Sequence, residues 1–144
     1  MDQFIITKIF VYSHYIDQCN INRVITCFGS LFEYIYELTC DKTFSDSDVS
    51  KFKNLIKLDC SECYNITDDG IKNLTKLTSL NCRECYFITD LGIKELQLLT
   101  ILICEGCHNI TDDGIINLKK LKVLKKWRCW RITNKSIKEL NLIV

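Results

Sequence analysis

From about residue 38 onward, the apolar positions of this chain recur with a fixed period. Ile66, Ile88, Ile110 and Ile132 stand 22 residues apart. Each is followed by a threonine (Thr67, Thr89, Thr111, Thr133) and then by Asp68, Asp90, Asp112 or Asn134. The same period relates Ile71, Ile93, Ile115 and Ile137, then Leu74, Leu96, Leu118 and Leu140, then Leu58, Leu80, Leu102 and Leu124. A cysteine column, Cys63, Cys85, Cys107 and Cys129, keeps the register. A weaker copy comes first, with Phe44, Ser45, Asp46, Val49, Phe52 and Leu55 standing 22 before Ile66, Thr67, Asp68, Ile71, Leu74 and Leu77. Self-similarity of this kind marks a repeat array. Upstream of about residue 38 the register is lost and a different module begins.

Each unit predicts two elements. Leu80 and Cys82 alternate with polar neighbours, as in a short half-buried strand. Ile93, Leu96 and Leu99 then follow at three-residue spacing, which predicts one apolar face of a helix. Thr89 or Asp90 is placed to cap that helix, and Asp68-Asp69 and Asp112-Asp113 to complement the helix starts of the sister units. One such unit cannot bury its apolar side alone. Stacked units align their strands as a parallel sheet with the helices on the other side.

The run Leu-x-x-Leu-x-Cys-x-x-Cys followed by Ile-Thr-Asp resembles the leucine-rich repeat, in its cysteine-containing subtype, over residues 38–144. The resemblance implies an α/β solenoid of about four to four and a half units. Its strands would line a concave face that binds protein partners, with helices on the convex face. The strand residues flanking the inward leucine would form that face, in register as Lys57/Ser79/Ile101/Val123, Asp59/Asn81/Ile103/Lys125 and Ser61/Arg83/Glu105/Trp127, with Glu62/Glu84/Gly106/Arg128 next in the turn. The candidate partner-binding residues are Asp59, Asn81, Arg83, Ile101, Ile103, Lys125, Trp127 and Arg128. Ile101, Ile103 and Trp127 are expected to be exposed, and tryptophan and arginine are favoured at interaction hot spots.

Ten cysteines include three Cys-x-x-Cys pairs, Cys60/Cys63, Cys82/Cys85 and Cys104/Cys107. Alone, such pairs suggest tetrahedral zinc. Within the repeat, the first thiol of each pair falls on an inward strand position and the second in a turn. Both then serve as small buried apolar groups with a weak donor. Lys126 takes the first position in the last unit and breaks the series. Structural thiols are therefore expected, with no metal and no other cofactor.

Residues 1–37 carry apolar pairs at Ile5/Ile9, Ile6/Phe10, Ile21/Val24/Phe28 and Leu31/Ile35, spacings that predict short amphipathic helices. One reading is a helical cap over the first strand. The segment also resembles an F-box, with Ile5, Ile6, Ile9, Phe10 and Tyr12 on its leading helix and Val24 and Phe28 on later positions. The family's opening Leu-Pro is Met1-Asp2 here. The resemblance implies docking of these residues to a Skp-type adaptor, and so a substrate-recognition subunit of an SCF-type ubiquitin ligase. The alternative is a plain repeat scaffold with no ligase link.

The charge is unevenly spread. Residues 115–144 hold nine Lys or Arg and one acid, Glu139, so this end carries +8 and the rest −7. Lysines interleaved with Trp127 and Trp130 open a further, weaker reading, nucleic-acid binding. No Gly-rich phosphate loop occurs, and His14 and His108 form no triad pattern, so catalysis is not expected. No apolar run reaches the ~20 residues of a membrane span, and the start lacks a basic leader segment. A cytoplasmic chain is expected, with the nucleus as second compartment. The absence of proline and alanine suggests an AT-rich genome; were it viral, the compartment would be the host cytoplasm.

Overall fold

The computed structural model describes residues 32, 33 and 35–143 of the chain. The adaptor-facing residues Ile5, Ile6, Ile9, Phe10, Tyr12, Val24 and Phe28 lie outside that range, as does nearly all of the expected N-terminal helical module.

Strands and short helices alternate along the described chain. They run β1 (Glu37–Thr39), α1 (Asp46–Val49), β2 (Lys57–Asp59), α2 (Asp68–Ile71), β3 (Ser79–Asn81), α3 (Asp90–Ile93), β4 (Ile101–Ile103), α4 (Asp112–Ile115), β5 (Val123–Lys125) and α5 (Asn134–Leu140). The strands form one parallel sheet in chain order. From β2 to β5 the partners are 22 residues apart, as the sequence columns require. Between β1 and β2 the pairing is Glu37 with Lys57 and Leu38 with Leu58, a separation of 20. The first unit is two residues shorter between Cys40 and Phe44 than its sisters are between Cys60 and Ile66, and it lacks the second cysteine.

One side of the sheet is sealed by a continuous core. Leu58, Leu80, Leu102 and Leu124 meet Ile66, Ile88, Ile110, Ile132 and the Leu74, Leu96 and Leu118 column, nearly all without solvent exposure. Phe32 closes the N-terminal end edge-on to Phe52, with ring centroids 4.9 Å apart. Among the described residues, Phe32 and Glu33 form a short helical turn there. Ile35 lies outside any helix, so the helix suggested by Leu31/Ile35 does not extend to it. Phe32 and Ile35 pack against the first repeat.

The helices differ from the sequence expectation. α3 ends at Ile93, and Leu96 and Leu99 lie in the turns that follow. Their N–H groups donate to Ile93 O and Leu96 O, both at 2.9 Å, three residues back each time. A strict spacing of three matches such successive tight turns, whereas an α-helix at 3.6 residues per turn would carry the third residue off the buried face. The columns are buried as expected by a different backbone.

Cross-repeat hydrogen bonds lock the units together. The Asp90 carboxylate accepts from both the backbone N–H and the hydroxyl of Thr111, each at 2.7 Å. Asp46 does the same for Thr67, Asp68 for Thr89 and Asp112 for Thr133. Each threonine then caps its own helix, Thr111 Oγ1 accepting from Asp113 N–H at 3.2 Å. Burial works to raise the Asp112 pKa, but hydrogen bonds from Ser136 and Thr133 outweigh it and hold the carboxyl below the usual range.

Close approach of these aspartates explains Gly70, Gly92 and Gly114. A methyl on Gly92 would sit 3.2 Å from the Asp68 Cα and closer still to its carboxylate, which Thr89 already fixes in place. Gly92→Ala is expected to lower stability by about 1–3 kcal/mol through overpacking. Urea unfolding monitored by circular dichroism would show it as a lower midpoint at unchanged slope.

Candidate functional site

The open sheet face follows from strand alternation. The central leucine of each strand turns inward, and the residues on either side are exposed or half-buried. Pairing places Lys57, Ser79, Ile101 and Val123 in one row and Asp59, Asn81, Ile103 and Lys125 in the next. Backbone bonding continues past the strands: Glu62 N–H donates to Arg83 O, Glu84 N–H to Glu105 O and Gly106 N–H to Trp127 O, each at 2.8 Å. The row Ser61, Arg83, Glu105 and Trp127 is therefore held in register too. Behind it the chain turns through left-handed backbone at Glu62, Glu84, Gly106 and Arg128, with φ between 59° and 77°. Three of the four lack glycine's freedom and bear a cost of roughly 1–2 kcal/mol each. The cross-repeat bond at Glu62 and Glu84 helps hold that geometry.

The face changes character along the array. Toward its N-terminal end, polar groups satisfy one another. Lys57 pairs with Glu37 at 2.7 Å and Lys42 with Glu62 at 2.9 Å. Asp59 accepts from Ser61 N–H and hydroxyl and from Asn81 Nδ2, the last at 2.9 Å, while Asn81 Oδ1 accepts from Arg83 N–H. Arg83 reaches Glu105 at 3.9 Å. Asp59, Asn81 and Arg83 thus lie on the face, but with much of their polar capacity turned to neighbouring repeats.

The C-terminal end is apolar and basic. Ile101 is 38% exposed and Trp127 61% exposed, and the Arg128 guanidinium lies 4.2 Å from the centroid of the Trp127 ring. Lys125 is exposed between them. Among the described residues neither Lys125 nor Arg128 is in an ion pair. Ile103 is half-buried rather than exposed, and Asn81 and Lys125 flank it within its row. Lys126 is not on the face. It occupies the inward cysteine column and donates its Nζ to Ile132 O at 3.0 Å.

Beside the face runs an aromatic stack. Tyr64 and Tyr86 lie 5.8 Å apart with rings 15° from parallel, and Tyr86 and His108 lie 6.2 Å apart at 4°. Trp130 follows in the same column and is 78% exposed. His108 Nδ1 is 3.2 Å from Arg128 O, so this imidazole has a repeat-stacking duty. The shared column was visible in the sequence; the contact of Arg128 with Trp127 was not.

No protein-family model and no curated relative matches the sequence. Among solved structures, an internalin (inlF) of Listeria monocytogenes is similar at 24% identity and a TM-score of 0.62, over 76% of this chain and 33% of that one. An internalin C2 (inlC2) of the same organism is similar at 22% identity and a TM-score of 0.52, over 74% of this chain and 48% of that one. The fold is a leucine-rich-repeat solenoid. The chain spans a third to a half of those two proteins' length.

Within the solenoid, the thiols of one Cys-x-x-Cys pair serve opposite neighbours. Cys82 Sγ donates to Ile103 O of the following repeat at 3.5 Å, whereas Cys85 Sγ donates to Cys60 O of the preceding one at 2.9 Å. Cys107 and Cys129 repeat the second contact on Cys82 O and Cys104 O, at 2.9 and 2.8 Å. All eight described cysteines are free thiols, and among the described residues no group of three or more His, Cys, Asp or Glu is placed to hold a metal ion. A hydrogen bond with the thiol of the next repeat, followed by burial, pushes Cys60, Cys82 and Cys104 well above the ordinary thiol range. Raised and buried thiols are poor nucleophiles. Iodoacetamide labelling read by peptide mass spectrometry is expected to leave Cys82 and Cys104 unmodified in the folded chain and to modify both in guanidinium.

Proposed function

We propose that this chain is a non-enzymatic protein-binding scaffold, and that its partner seats on the open face of the sheet. The observation that carries the proposal is the cluster of Ile101, Trp127 and Arg128, exposed on backbone that is hydrogen-bonded across repeats. Rigid exposed tryptophan and arginine are typical anchors of protein interfaces. The acids of the Ile-Thr-Asp motif hold the next repeat's threonine, and His108 is stacked on Tyr86; these groups have structural duties. The free thiols suit a reducing compartment, and the cytoplasm is the proposed location.

Selection of displayed random dodecapeptides on the full chain tests this. Binders are then measured on the variant Ile101→Ser with Trp127→Ser, serines that already stand at the equivalent positions Ser79 and Ser61. Most binders are expected to be lost on that variant. Binders indifferent to it would overturn the proposal.

The finer form of the proposal makes residues 1–37 an F-box-like segment that docks the scaffold to a Skp-type adaptor of a ubiquitin ligase. It is supported by the apolar spacing of Ile5, Ile6, Ile9 and Phe10 ahead of a repeat array. Titration against a Skp-type adaptor is expected to show binding that Ile9→Glu with Phe10→Glu abolishes. No binding would leave the plain scaffold.

A further inference from the structure

We infer that the C-terminal end of the open face, built from Ile101, Ile103, Lys125, Trp127 and Arg128, binds an acidic protein segment that carries a large apolar side chain. The inference rests on the scaffold reading and adds the chemistry of the partner.

Charge complementarity is the first argument. The cations Lys42, Lys57 and Arg83 on or beside the N-terminal part of the face each pair with a carboxylate of the neighbouring repeat. Lys125 and Arg128 have none among the described residues, and they stand in the thirty residues that hold nine cations and one acid. Their field attracts acids, and an acid brought to them would displace no internal partner.

Shape and polarity give the second. Ile101 and Ile103 lie on β4, one strand from Lys125 and beside the row that ends in Trp127. Adjacent strands are about 4.8 Å apart, so an apolar side chain resting on the isoleucines places its flanking residues within reach of Lys125 and Arg128. Arg128 against the indole ties cation and apolar wall into one unit.

A nucleic acid fits this face less well. Its phosphates need a cationic track along the strand. On this face the cations that are in no ion pair among the described residues, Lys125 and Arg128, stand in the last repeat. Lys57 and Arg83 are paired with carboxylates, and Glu105, Glu84 and Asp59 lie in the preceding repeats. A short acidic peptide needs only the patch.

The test uses the full chain with Trp130→Phe, so that Trp127 alone reports by fluorescence. Four probes are titrated: a synthetic peptide with a central leucine flanked by Asp and Glu, its counterpart with Lys for every acid, its counterpart with Ser for the leucine, and oligothymidylate. The acidic leucine peptide is expected to bind, more weakly as salt rises. The serine version should bind roughly tenfold more weakly, as should the parent peptide to Lys125→Asp or Arg128→Glu. Both substitutions install residues the sister repeats already carry, Asp59 in one row and Glu62 and Glu84 at the left-handed position, so the backbone accepts them. Equal binding of the lysine peptide, tighter binding of oligothymidylate, or unchanged affinity in the two charge variants would overturn the inference. Displayed binders that map to the face yet lack acids would overturn it too and leave the scaffold reading standing.

Discussion

Asp90→Ala is expected to destabilise the solenoid by about 3 kcal/mol, the loss of two charge-assisted hydrogen bonds with a donor left unpaired. Its carboxylate accepts both the N–H and the hydroxyl of Thr111 in the next repeat. Removing it strips Thr111 of both acceptors while that threonine still caps the following helix. Asp113→Ala is the control. Asp113 is exposed, lies in the first turn of the helix that Thr111 caps and makes no ion pair among the described residues, so its loss should cost under about 0.5 kcal/mol. Chemical unfolding of the two variants gives the comparison directly. Similar costs for both would mean that the aspartates act through the helix ends and that the link between repeats carries little energy.

Leu102→Ala is expected to cost about 3–4 kcal/mol, within the range for fully buried leucines. Leu102 is the inward residue of β4, is fully buried and lies between Leu80 and Leu124 in the pairing. A stack held by nearest-neighbour contacts cannot collapse around the hole from one side without opening the other. Replacing the exposed Leu91, at 61% exposure on the helical side, should change little. The pair of midpoints in urea separates burial from hydrophobicity as such.

The columns were legible because burial repeats with the backbone. Leu58, Leu80, Leu102 and Leu124 predicted both the inward positions and the rows of the open face, and the pairing reproduces those rows residue by residue from β2 to β5. The sequence columns place the first unit at the same period, since Phe44 stands 22 before Ile66, yet its strand pairs at 20. A turn shortened by two residues leaves the helical columns aligned and shifts only the strand, which apolar spacing alone does not reveal. The apparent helix through Ile93, Leu96 and Leu99 misled for a related reason: a three-residue spacing fits one helical face and successive tight turns equally well, and only the hydrogen bonds distinguish them.

Of the candidate residues, Ile101, Ile103, Lys125, Trp127 and Arg128 come together at one end of the face. Asp59, Asn81 and Arg83 are drawn into contacts between repeats. That division depends on which side chains find partners one repeat away, a three-dimensional property that the columns carry only in outline. The Asp–Thr link was present in the motif itself, but each aspartate looked like a residue for its own helix. Its partner lies 21 positions onward.

The most direct measurement of the central claim is an amide and indole NMR titration of the full chain with the strongest binder from the peptide selection. Shifts are expected to gather on Ile101, Ile103, Lys125, Arg128 and the Trp127 indole, with the α2, α3 and α4 side of the array unchanged. Shifts confined to that helical side, or spread evenly over all repeats, would contradict it.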